Sequence, residues 1–176
     1  MDAMTDLEVY LDAETIAGRV KELAAEISRD YEGKDTVLIG ILKGAALFLA
    51  DLSRALTIPV GIDILHASSY GDGTTSSGVV CITRDSSCDV KDRHLILVDC
   101  IIDSGRTLET LVKHFRERQP ASIEAVVLLD KKERRTCDVA VRYVGFTVPD
   151  RFLVGYGLDQ GGKHRNLPYV ATVKPS

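Results

Sequence analysis

One stretch restricts the fold of this chain more than any other: Leu95 to Leu108, reading LILVDCIIDSGRTL. Leu95 to Val98 is continuously apolar and too short for a helix, which predicts a strand buried on both faces in a parallel sheet. From Thr107 the period changes, and Leu108, Leu111, Val112 and Phe115 fall on one helical face. Ser104, Gly105, Arg106 and Thr107 therefore occupy a strand-to-helix turn. Such a turn aims several backbone N–H groups and the positive end of a helix dipole at one point, and glycine lets a ligand come close. A phosphate is the natural guest.

A carboxylate at the mouth of an anion site repels the anion unless it serves a proton, a metal or a sugar hydroxyl. Asp103 is so placed, and Asp99 stands at the carboxyl end of the expected strand, where open α/β sheets bind their ligands. The plainer alternative is that Asp99 ends a strand and Asp103 caps a helix. Two aspartates alone do not decide between these readings.

Other parts of the chain point to the same edge of a sheet. Thr36 to Leu42 reads as a buried strand and Ala45 to Leu56 as a helix with Leu47, Phe48, Leu52 and Leu56 inward, so Lys43 and Gly44 lie between them. A lysine and a glycine there suit a pyrophosphate, although a surface turn has the same composition. No GxxxxGK[ST] string occurs, which excludes a Walker loop. Ile123 to Leu129 predicts another strand, which delivers Lys131 to that edge; Lys132, Arg134 and Arg135 then read as a solvated basic surface. Upstream, Ile16, Val20, Leu23, Ala24, Ile27 and Tyr31 form the stripe of an amphipathic helix with Asp12 as its cap. Ser68 to Gly78, SSYGDGTTSSG, follows a strand over Pro59 to Ala67, has no period, and reads as a lid or a loose hairpin tip. After residue 136 the chain breaks into short apolar strands interrupted by Pro149, Gly155 and Gly157.

Taken together, LILVDCIIDSGRT resembles the phosphoribosyl pyrophosphate (PRPP) motif of type I phosphoribosyltransferases, and more closely that of the hypoxanthine-guanine branch. SSYGDG and VPDRFLVGYGLD are similar to further stretches of that branch. The resemblance covers roughly Val37 to Val173. It implies an α/β fold, a doubly wound, mainly parallel sheet flanked by helices, with a small hood from the carboxyl-terminal strands. One domain over residues 1–176 is expected, with its core about 12–135 and its hood about 136–176. The implied activity is transfer of the 5-phosphoribosyl group of PRPP to hypoxanthine or guanine, with xanthine an open third base.

The same resemblance assigns roles. Ser104, Gly105, Arg106 and Thr107 hold the 5-phosphate, Asp99 meets the ribose hydroxyls and magnesium, and Asp103 faces N7 of the purine. Lys131 bonds the exocyclic oxygen of a 6-oxopurine, Phe152 stacks on the base and Leu153 offers it backbone groups. Lys43 and Gly44 form the pyrophosphate loop behind a non-proline cis peptide, Ser69 and Tyr70 close the lid, Asp159 holds magnesium and Arg165 contacts pyrophosphate. Cys100 departs from the motif, for the family carries a second acid there. A thiol is a poor acceptor, so Cys100→Asp is expected to improve PRPP binding if the side chain faces the ligand, and to bring nothing if it points into the core. A non-catalytic nucleotide-sensing regulator of the same fold is the alternative that this departure favours. The family is usually dimeric or tetrameric, so a homodimer or homotetramer is expected.

Composition narrows the partners. A net charge of −4 with no basic stripe gives no footprint for nucleic acid. No apolar run reaches the ~18 residues of a membrane helix, and the acidic start MDAMTDLEVY lacks the parts of a signal peptide, so a cytoplasmic location and no membrane partner are expected. Cys81, Cys88, Cys100 and Cys137 show no metal-ligand spacing and read as free thiols.

Overall fold

The structure is a computed structural model describing residues 7–69 and 80–173. In chain order the elements are β1 (Leu7–Leu11), α1 (Ala13–Asp30), β2 (Thr36–Leu42), α2 (Ala46–Ala55), β3 (Gly61–Ser69) and β4 (Val80–Arg84). There follow β5 (His94–Ile102), α3 (Arg106–Arg116), β6 (Ser122–Asp130), β7 (Tyr143–Thr147), β8 (Leu153–Val154) and β9 (Val170–Val173). A six-stranded sheet runs in the order β4-β3-β2-β5-β6-β7, and a second sheet in the order β1-β9-β8. In the large sheet only the β3–β4 pair is antiparallel. Among the described residues no helix is long and apolar enough to cross a membrane.

The unbroken apolar runs of β2 and β5 have a direct cause: both sheet faces are covered, so both sets of alternating side chains must be apolar. On one face Leu38, Ile96, Val98 and Val126 pack with Phe48 and Leu52 of α2 and with Ile16, Leu23 and Ile27 of α1. On the other, Val37, Ile39, Leu95, Leu97 and Val127 pack with Leu108, Leu111 and Phe115 of α3. Helix α1 starts as expected, with the Asp12 carboxylate accepting the Thr15 N–H at 2.7 Å.

Three expectations need correction. Strand β5 does not end at Val98 but runs to Ile102, because its pairing with β6 continues to Ile102 opposite Asp130 after its pairing with β2 has stopped at Val98. Helix α2 presents Phe48, Leu49 and Leu52 inward, while Leu47 is exposed. Leu49 wins the inward position because Gly40 leaves it room: a Cβ there would stand 2.5 Å from Leu49 Cδ2. The small sheet takes β8 and β9 from the carboxyl-terminal stretch, as expected, but its third strand is β1, whereas β7 extends the large sheet.

Asp63 on β3 ties down the segment after β4. Its carboxylate accepts Ser86 Oγ at 2.7 Å, Cys88 N–H at 2.8 Å and Ile64 N–H at 2.8 Å. Burial alone would push this carboxyl up, but these hydrogen bonds outweigh it and hold the group below its ordinary value. Its stabilisation is therefore present at neutral pH and lost as pH falls through the carboxylate range. The stability difference between wild type and Asp63→Asn in urea titrations should be largest near pH 7 and shrink below about pH 4. Phe115, fully buried under α3, should cost about 3–5 kcal/mol on truncation to Ala by the same measurement.

Candidate active site

In an open α/β sheet the ligand crevice lies at the carboxyl ends of the strands, where successive connections leave in opposite directions. Here that point is between β2, whose other neighbour is β3, and β5, whose other neighbour is β6. Beyond Val98 the β5 backbone loses its β2 partner. Lys43 and Gly44 leave β2, Asp99 to Thr107 line β5 and its exit, and Lys131 leaves β6, so the topology collects the expected residues on one edge.

Gly105 is the pivot of the turn between β5 and α3. Its φ of +89° lies where only glycine sits without strain, and it immediately precedes α3. The turn is braced from outside, since the Ser104 carbonyl accepts the N–H groups of Thr136 at 2.9 Å and Cys137 at 3.2 Å. A cavity of about 100 Å³ opens here, lined by Asp99, Asp103, Ser104, Gly105, Thr107 and the apolar side of Ile101, Ile102 and Leu108. That is the space of a few waters, each occupying ~30 Å³ in the liquid, and it suits one tetrahedral anion. The first amides of α3 have no intrahelical acceptor and face such a guest.

Asp99 is half-buried, and burial pushes its carboxyl up to about 7 against the N–H groups of Cys100 and Ile101, which favour the ionised form. Its Oδ1 accepts the Cys100 N–H at 2.7 Å.

Asp103 and Lys131 stand side by side at the ends of β5 and β6, with Lys131 Nζ 4.0 Å from Asp103 Oδ2. The Lys131 N–H donates to the Ile102 carbonyl at 3.0 Å, which fixes the two strand ends against each other. The lysine is buried, and its ammonium also lies 3.5 Å from Asp150 Oδ1. Arg134 joins them: its Nε is 2.7 Å from Asp103 Oδ1 and its Nη1 3.4 Å from Asp150. The basic run after Lys131 is thus not a plain solvated surface. Arg135 pairs with the buried Asp130 at 3.2 Å and donates to the Val139 carbonyl, and only Lys132 stays free of ion pairs among the described residues. Arg134 and Asp150 escaped the sequence reading because a tight 3-10 turn over Lys132–Arg134, invisible to periodicity, folds the arginine back.

The small sheet and the loop after β8 carry the remaining expected residues. Phe152 exposes 57% of its surface, so it is not a core residue and its ring is available to a planar ligand, while Leu153 is buried in the core. Arg165 donates to the Gly157 carbonyl at 2.6 Å and pairs with Asp159 at 2.7 Å. Lys43 is exposed, and the Leu42–Lys43 peptide is cis, as the resemblance implied. Tyr70 and the Ser69 side chain lie outside the described residues.

Comparison with known proteins agrees with this geometry. The family profile described as phosphoribosyl transferase domain matches residues 6–161. This chain belongs to the phosphoribosyltransferase family. Similar family members include the hypoxanthine-guanine phosphoribosyltransferase of Staphylococcus aureus, 42% identical over 168 residues, which cover 96% of this chain and 94% of that one. A solved hypoxanthine phosphoribosyltransferase from the same species has a TM-score of 0.92 at 42% identity, covering 97% of this chain and 93% of the other. A hypoxanthine-guanine phosphoribosyltransferase from Bacillus anthracis has a TM-score of 0.88 at 43% identity, covering 94% and 97%.

Within the phosphoribosyltransferase motif, Cys100 resolves to the core. It is fully buried, and its Sγ donates to the Tyr156 carbonyl at 3.3 Å. Burial raises its thiol far above the ordinary range. The side chain ties β5 to the loop between the small sheet and Arg165 and does not line the phosphate cavity, so Cys100→Asp brings no gain in PRPP binding. With that, the feature that favoured a regulator loses its force.

The same loop meets the Lys43–Gly44 turn by backbone alone. A Cβ on Gly157, whose φ is +97°, would stand 2.0 Å from the Gly44 carbonyl oxygen. Gly157→Ala should therefore lose about 1–2 kcal/mol from its backbone conformation, and more from the clash. Urea unfolding reads the two costs together.

Proposed function

We propose that this chain transfers the 5-phosphoribosyl group of PRPP to hypoxanthine or guanine, releasing the nucleotide and pyrophosphate in purine salvage. The observation that carries the reading is that Asp103 and Lys131 stand side by side, 4.0 Å apart, at the strand ends beside the cavity that Asp103 lines. A lysine ammonium only donates hydrogen bonds, so it donates to a carbonyl at the purine 6 position and finds no acceptor in an amino group. That choice separates 6-oxopurines from adenine. Asp103 has the complementary role of receiving the N7 proton while N9 forms the bond to C1′ and the C1′–O bond to pyrophosphate breaks, its electron pair leaving with the pyrophosphate.

Ser104, Gly105, Arg106 and Thr107 hold the 5-phosphate, and Asp99 receives the ribose hydroxyls. Phe152 stacks on the base, with stacking of this kind contributing ~1–3 kcal/mol per base, and the Leu153 backbone meets its edge. Lys43, Gly44 and Arg165 take the pyrophosphate. Ser69 and Tyr70 belong to the segment that closes over the site and excludes water.

The donor set also fits magnesium, a hard cation that takes carboxylate oxygens and is usually held by one or two carboxylates together with substrate phosphates. Asp99 and Asp159 would hold it, and its charge would neutralise the pyrophosphate oxygens. A homodimer or homotetramer accords with the family.

A spectrophotometric assay with PRPP, magnesium and each of hypoxanthine, guanine, xanthine, adenine and uracil tests this reading. Turnover is expected with hypoxanthine or guanine, and retained PRPP binding without turnover of any base would overturn it. Asp103→Asn keeps the shape but removes the proton acceptor. It should bind PRPP normally and lose about 10²–10⁴-fold in turnover, and a loss under about tenfold would remove Asp103 from its role.

A further inference from the structure

The geometry points to Arg134 as a positioning residue that keeps the proton acceptor and the hydrogen-bond donor of the base site from neutralising each other. The inference rests on the roles given above to Asp103 and Lys131.

An aspartate 4.0 Å from a buried lysine is one small rotation from a direct ion pair. In that pair the carboxylate would be unavailable to the N7 proton and the ammonium unavailable to the base carbonyl. The carboxyl torsion of aspartate is broad, so nothing in the side chain itself prevents the rotation. What opposes it here is a second pair of charges. Arg134 places Nε 2.7 Å from Asp103 Oδ1, and Asp150 lies 3.5 Å from Lys131, closer than Asp103 does. Arg134 and Asp150 are themselves joined at 3.4 Å.

The four charges thus alternate, each catalytic group drawn toward a partner that is not the other. Asp103 Oδ1 is shut off from solvent and accepts no aligned hydrogen bond even at this short separation from Arg134. With Oδ1 closed, Oδ2 is the oxygen left for the cleft. The Arg134 N–H donates to the Lys131 carbonyl at 3.0 Å, so the turn that carries the guanidinium is anchored on the residue it helps to free.

Arg134→Ala should lower kcat by about tenfold or more, a share of the usual contribution of a proton-transfer group, and leave the KM for PRPP within about twofold. Millimolar guanidinium chloride should restore part of the lost kcat, and equimolar sodium chloride should not. In the Asp103→Asn background the same substitution should cost less than about twofold, because the acceptor it positions is gone. Exposed ion pairs contribute little to folding, so the melting temperature of the variant serves as control; Arg134→Gln replaces it if the alanine variant does not fold. The inference is overturned if kcat is retained, if only the KM for PRPP changes, or if the loss is equally large in the Asp103→Asn background. Wild-type turnover by Asp103→Asn alone would instead strike the role of Asp103, and Arg134 would fall with it.

Discussion

Everything in the site depends on one event in the sheet, the separation of β2 and β5 beyond the pair Gly40–Val98. Up to that point β5 is held on both edges and both faces, and its position is fixed as firmly as backbone pairing and packing allow. Past it, one edge of β5 is open while β6 still holds the other to Ile102. The residues Asp99 to Ile102 are therefore held along one edge only, with Cys100 and Ile102 buried and Asp99 and Ile101 partly exposed. A carboxylate on such a half-supported strand can be both well placed and accessible, which neither a central strand nor a free loop provides.

The two subsites on either side of this opening solve different electrostatic problems. The phosphate side uses backbone amides and a helix end, which carry no formal charge and need no partner in the absence of ligand. The base side uses full charges close together, two acids and two bases among Asp103, Asp150, Lys131 and Arg134. Two charges of each sign sum to zero, so the group is polar without net charge, which suits the neutral purine proposed for it. Phe152, 57% exposed, is the residue proposed to add the apolar half of that environment.

Much of this was legible in the sequence. The change from an apolar run to a helical period around Ser104 and Gly105 located the cradle, because burial on two faces and a left-handed turn each leave a residue signature. Lys131 could be placed because a strand end precedes it. What escaped were features without a period. The extension of β5 past Val98 depends on which neighbour ends first, a property of the partner strand. The inward turn of Leu49 in place of Leu47 depends on the missing side chain of Gly40 in another element. The orientation of Cys100 follows from the alternation of β5, which reaches further than the apolar run suggested. Arg134 and Arg135 look like surface in one dimension, and only the 3-10 turn and the depth of Asp130 make them partners of acids at the sheet edge.

The pairing of β1 with β9 has a consequence for the order of assembly. Leu7 lies opposite Val173, so the small sheet is closed by a contact between strands at opposite ends of the described chain, with the entire large sheet in between. Contacts of such long sequence separation close late, since the entropy of the intervening loop must be overcome before they form. The sheet and its phosphate cradle are built from nearer neighbours and have no need of that closure. A nascent chain is thus expected to complete the large sheet and the turn into α3 first, and the small sheet only after β9 has emerged.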